Sequence, residues 1–171
     1  MAITICVTGH IDLKDPKKIK NEIIYFLRYI KETNPNTEII ALSAMAAGSD
    51  TIFAQAVLDV KIPLKIILPF QIEDYEKNFN KEDWQTAKKI ISSNEYYVNE
   101  TIDYKNSENR NNAYLSTGKK LVDGSNMVLA IWDGKYAVGV GGTGDIVKYV
   151  RQNNSKELHI IKAARNKKSE E

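Results

Sequence analysis

The sequence has almost no cysteine. Cys6 stands alone in 171 residues, which excludes a disulfide framework and a thiolate-bound metal cluster. Histidine is nearly as scarce. His10 and His159 alone leave little material for a zinc site, and neither a metal nor a cofactor is expected. An excess of one charge is lacking too: 24 basic residues face 22 acidic ones. That balance is too even to argue for a nucleic-acid groove, so nucleic acid is disfavoured as a partner. No apolar run reaches membrane length. The opening MAITICVTG has neither the basic start nor the long apolar stretch of a signal peptide. The expectation is a cytoplasmic protein with no membrane partner. Two catalytic signatures are also missing. No G-x-x-x-x-G-K-[ST] loop occurs, and no G-x-S-x-G elbow surrounds Ser43.

What the sequence does contain is a regular alternation of two periods. ITICVTG is a short apolar run ending in Gly9 and reads as a buried strand. Asp15 then caps a helix with Pro16 at its first position, and Ile19, Ile23, Phe26, Leu27 and Ile30 form its apolar stripe. TEIIALS is the second strand, and Ile52, Phe53, Ala56, Val57 and Val60 mark the next helix. LKIILPF is a third strand, followed by an irregular loop over 71–80 and a helix near 82–93. EYYVNE is a weaker strand, NNAYLSTGKKLVDGS a helix despite Gly118, NMVLAIWD a fifth strand and ELHII the last, after a helix from about Thr143. The pattern predicts an α/β fold: a Rossmann-like three-layer sandwich with a mostly parallel sheet of about six strands. One domain spans 1–162, and 163–171 is a polar, frayed tail.

In such folds ligands sit beyond the carboxyl ends of the strands. Here those ends are TGHIDL, LSAMAAGSD, LPFQIEDY and WDGKYAVGVGGTGD, all rich in small or polar residues. Gly139, Gly141 and Gly144 match G-x-G-x-x-G, but late in the chain and six residues past Asp133, so an NAD dehydrogenase is not indicated. Gly141 and Gly142 still allow close backbone approach, and Thr143 is placed to cap a helix whose free N–H groups attract an anion. A turn with an ordinary cap is the plainer alternative. Asp145, in that helix's first turn, suits ribose hydroxyls better than phosphate, or serves the helix dipole alone.

The other rim candidates carry similar pairs of readings. Ser43, Ala44, Gly48, Ser49 and Asp50 either admit a ligand to the backbone or let a helix pack close to the sheet. His10 is a ligand contact or a satisfied structural residue; His159 is structural. Tyr75 and Trp132 stack on a base or pack inside, while Asn112 and Tyr114 face the same cleft from the preceding helix.

The segments VTGH, LSAMAAGSDTIFAQAVL, ILPFQIEDYEKNF, NAYLSTGKKLVDGSNMVLAIWDGK and GVGGTGDIVKYV, in this order, resemble the SLOG superfamily. That Rossmann-like group includes LOG-type phosphoribohydrolases, DprA-like domains and ligand sensors of bacterial antiphage systems. The resemblance implies a site for a nucleotide-derived small molecule, with its phosphate or ribose at the glycine loop. It also implies a homo-oligomer, commonly a dimer. LOG hydrolases carry P-G-G-x-G-T-x-x-E, whose acid helps cleave the N-glycosidic bond. Aligned on Gly142 and Thr143, this chain has Ile146 at that acid's position and Asp145 one residue early, a rotation of about 100° on a helix. No proline precedes the glycines, and no arginine follows LSAMAAGSD in its loop.

Two functions are therefore expected. The favoured one is capture of a nucleotide-derived signal, such as an ADP-ribose derivative or cyclic nucleotide, by sensing or sequestering. The alternative is a hydrolase or transferase acting at a glycosidic bond, with Asp145 as the catalytic residue.

Overall fold

The computed structural model describes residues 1–93, 97–101, 110–136 and 142–166. Along these, strands and helices alternate: β1 (Ala2–Gly9), α1 (Pro16–Thr33), β2 (Glu38–Ser43), α2 (Ser49–Asp59), β3 (Leu64–Leu68), α3 (Ile72–Tyr75), α4 (Lys81–Ser92), β4 (Tyr97–Thr101), α5 (Arg110–Asp123), β5 (Met127–Trp132), α6 (Thr143–Arg151) and β6 (Glu157–Lys162). The strands form one sheet in the order β4-β3-β2-β1-β5-β6, and every pair is parallel.

Local chemistry starts the helices where expected. The Asp15 carboxylate accepts the Lys18 amide at 3.1 Å and Pro16 opens α1. Asn80 does the same for α4, accepting the Asp83 amide at 2.8 Å. Strand alternation then sends successive residues to opposite layers. Ile5 and Val7 of β1 join Ile23 and Leu27 of α1, Phe53 and Val57 of α2 and Trp84 of α4. Cys6 and Leu42 join Leu121 and Val122 of α5 with Ile146 and Val150 of α6. Fully burying residues such as Ile5, Ile23 and Leu27 stabilises the fold by about 1.5–3 kcal/mol each.

Handedness explains the two layers. From β1 the chain steps through β2 and β3 to β4 with its helices on one face. It then returns to β5 and β6 with α5 and α6 on the other, as right-handed crossovers require. Gly118 lies where α5 meets α6: a methyl group there would sit 2.5 Å from Ile146 Cδ1. This glycine lets two helices close on each other.

Two expectations are corrected. The irregular loop over 71–80 is α3 followed by a 3-10 turn at Glu76–Asn78, because Tyr75 must turn inward to join the core. The tail begins later than residue 162. Ala163 is buried and donates its amide to Trp132 O at 3.0 Å, while Arg165 bridges to Leu13 in antiparallel pairing. Residues 163–166 are thus docked on the domain, and 167–171 lie outside the described residues. No described helix is long and apolar enough to cross a membrane.

Candidate functional site

The strand order reverses at β1, which has β2 on one side and β5 on the other. With all strands parallel, the carboxyl ends meet on one rim, and the crevice at the reversal is where such sheets admit ligands. Gly9, the last residue of β1, is in register with Ile131 of β5. His10 follows, its amide bound to Ile131 O at 3.1 Å. Its Nε2 lies 3.2 Å from both the Asp133 amide and the Asp133 Oδ1, so the side chain spans the reversal point. Burial, reinforced by the Arg165 guanidinium, holds the imidazole below its ordinary range against the pull of Asp133. At neutral pH the ring is therefore uncharged and Nε2 accepts the Asp133 N–H. Burial also pushes the Asp133 carboxyl up, but the Lys135 amide and His10 outweigh it and keep the carboxyl low. Arg165 reaches this corner from the docked chain end, donating Nε to Asp12 Oδ1 at 2.8 Å.

The β2–α2 connection forms the second wall. Gly48 has a φ of +75°, and a methyl group on it would meet the Ile11 backbone at 2.5 Å. Gly9 is similarly constrained, because a methyl group there would sit 2.5 Å from Ser49 Cβ. Close packing therefore explains these small residues. Ser43 and Ser49 are fully buried and already paired. Ser43 Oγ accepts the Met45 amide at 3.1 Å and donates to Asp50 O at 3.4 Å; Ser49 Oγ donates to His10 O at 2.6 Å. They shape the rim without facing it. Met45, a non-glycine residue, takes φ +58°, a strained turn in which its amide donates to Ser43 Oγ.

Asp50 is the unusual member. It is 7% exposed, and Oδ2 accepts the Ala46 amide at 3.2 Å. Burial pushes its carboxyl up to about 7, with the Ala46 N–H the one opposing influence.

Tyr75 does not offer a stacking face. It is fully buried, donates to Ala44 O at 3.0 Å and meets Phe79 edge-on. The Tyr75→Phe substitution should cost about 1–2 kcal/mol in a urea titration, since the buried Ala44 carbonyl would lose its donor. An unchanged midpoint would show that this bond contributes nothing. Trp132 is likewise a packing residue, 3% exposed, with Nε1 donating to Lys135 O and its ring against Tyr136.

The glycine loop is described only from Gly142 onward, and Gly141 lies outside the described residues. Gly142, not Thr143, is the cap position of α6, with φ −80° and no side-chain capping bond. Thr143 is the first helical residue and is buried; Asp145 is half-buried in the first turn. Ile146 is buried among the residues that join α5 to α6. Asn112 lies exposed on the first turn of α5.

Sequence reasoning missed three members of this rim. Asp133 was passed over although it follows directly on the fifth strand. Arg165 was assigned to a frayed tail. Arg110 opens α5, pairing with Asp74 at 3.2 Å and lying 4.2 Å over the Phe70 ring. It is the one arginine between Arg28 and Arg151, a signal that was available. Beside it the Tyr114 hydroxyl accepts from Asn78 Nδ2.

No family model and no curated protein matches this sequence. Among solved structures, DNA processing protein A (DprA) from Streptococcus pneumoniae is similar over 95% of this chain and 51% of that one, with 12% identity and a TM-score of 0.65. The structural-genomics target TM1055 is similar over 92% of this chain and 91% of that one, with 12% identity and a TM-score of 0.47. The chain has a DprA-like Rossmannoid fold and spans about half the length of that DprA chain.

Proposed function

We propose that this chain binds a nucleotide-derived small molecule, such as an ADP-ribose derivative or a cyclic nucleotide, at the rim where β1 and β5 part. The N-termini of α2 and α6 both open on the carboxyl side of the sheet, and first-turn amides of a helix lack partners within it. Two of them, Ser49 N–H and Asp145 N–H, already serve His10 O and Gly142 O at 3.1 Å each, and the others in the two first turns remain for an anion.

Binding is favoured over cleavage by one observation. The position that would bear the LOG acid is Ile146, 4% exposed and packed in the core, so no carboxyl can project from there into the rim. Asp145 in this reading accepts hydroxyl hydrogen bonds. The reading also includes a homo-oligomer, with sensing or sequestering as the role.

Native mass spectrometry against nucleotides, ADP-ribose and cyclic nucleotides tests both points, since it reads bound mass and subunit number together. The Gly142→Val variant should keep its fold, because φ −80° suits any residue, yet lose about tenfold or more in affinity as its side chain blocks the approach. Failure to retain any member of the panel, or steady release of free base by the wild type, would overturn the proposal.

A further inference from the structure

The β2–α2 connection carries an unexplained polar atom. Asp50 is more than nine-tenths buried, and among the described residues its Oδ2 has one partner, the Ala46 amide, while Oδ1 has none. Oδ1 is not sealed from solvent, and it stands in the first turn after β2, on the carboxyl side of the sheet. A carboxyl oxygen that is recessed in the protein yet open to solvent can take a partner from outside. The carboxyl stands in the first turn of α2, a helix of eleven residues whose N-terminus attracts anions. A carboxylate there competes with an anion unless it meets a hydrogen-bond donor on the same molecule.

We propose that Asp50 Oδ1 is the ligand's hydrogen-bond acceptor at this rim, receiving a hydroxyl or amino hydrogen from a molecule that also carries an anionic group. The inference rests on the binding reading above and adds the class of ligand: a phosphorylated sugar or nucleotide with a free donor, not inorganic phosphate. Tyr114 stands near enough to feel the Asp50 charge. Its oxygen accepts from Asn78, leaving its own hydrogen to donate.

A consequence in pH follows. The carboxylate is a far stronger acceptor than the carboxylic acid, whose proton would fall on Oδ1 because Oδ2 accepts the Ala46 amide, so ligand entry selects the ionised form and releases a proton. The titratable groups that face Asp50 are Cys6 from β1, Tyr75 from α3 and Tyr114 from α5, with Arg110 and Asp74 beyond Tyr114. Burial pushes the Cys6 thiol up to about 12 and raises both phenols. None of these three changes charge between about pH 6 and pH 8, whereas Asp50, at about 7, does.

The test uses ADP-ribose as probe, since the charge of its diphosphate does not change over that range, with calorimetry at about pH 6, 7 and 8. Wild-type affinity should rise by about tenfold across the range, and the Asp50→Asn variant, which cannot ionise, should bind with a flat profile. Carbon NMR of the Asp50 carboxyl should show its midpoint falling when the probe is added. Equal slopes in both proteins, or a midpoint unmoved by a probe that binds, would overturn the inference while leaving the binding reading intact. Inorganic phosphate competing as well as ribose 5-phosphate would overturn the donor requirement. No binding of any nucleotide to the wild type would overturn the binding reading, and the inference with it.

Discussion

The Gly48→Val variant will melt about 10 °C below the wild type, as read by circular dichroism on heating. Two effects add. At φ +75° an L side chain is strained, by about 1–2 kcal/mol. The new Cβ would also stand 2.5 Å from Ile11 Cα and O, atoms of backbone that no rotamer change can move. Overpacking of that kind costs about 1–3 kcal/mol, and roughly 3 kcal/mol in total corresponds to the stated shift for a domain of this size. Gly48→Ala should lose most of the same amount, because the first added carbon already makes the clash. Melting within about 2 °C of the wild type would mean that the β2–α2 connection yields more easily than its contacts imply.

Asp50→Asn should move stability the other way, by an amount that grows from about pH 4 and levels off above about pH 7. An aspartate in the unfolded chain titrates near 3.8, and in the folded protein burial raises Asp50 to about 7. Between those values the folded state holds a proton that the unfolded state releases. Wild-type stability is therefore fullest below about pH 4 and declines as pH rises through about 7. Asparagine has no such titration and keeps an oxygen for the Ala46 amide. The variant should gain about 2–4 kcal/mol above pH 7, falling to near zero around pH 4. Urea titrations at about pH 5 and pH 8 measure it. A gain of equal size at both values would show that Asp50 ionises normally in the folded protein. Such a gain, coupled to weaker or pH-insensitive binding, is the usual exchange between stability and activity at a functional position.

The layered fold was legible because each element announced itself by period. The α1 stripe from Ile19 to Ile30, the cap at Asp15 and the apolar runs of β1 and β5 all agree with one another and with the structure. The rim was legible as a place, since parallel strands must end together. Individual side chains on it were less so. Tyr75 reads alike as a stacking platform or a core residue until the short helix α3 turns it inward, and a four-residue helix has no period to detect. The His10–Asp133 pair joins residues 123 positions apart, a distance at which spacing carries no information. Asp50 was noted for its position after a strand. Its raised carboxyl comes from burial in the folded protein, which no local segment encodes. The departure at Ile146 was visible in the sequence, and the structure supplies its meaning: that helix face turns to the core.

The central placement of β1 has a consequence for the order in which the protein can be made. Its partner on one side, β2, is paired through Ala2 and Glu38, but its partner on the other begins with Ile5 opposite Met127. On a ribosome, β1 can pair with β2 long before β5 has been synthesised, at about 5–20 residues per second roughly ten seconds later. For that interval the strand that will become the middle of the sheet is an edge, with apolar Ile5 and Val7 and a row of open amides. The half-sheet β4-β3-β2-β1 with α1, α2 and α4 can thus assemble first, and the rim where β1 and β5 part is completed last. Folding interrupted at that stage would yield a species with an open β1 edge, able to pair with another copy of itself.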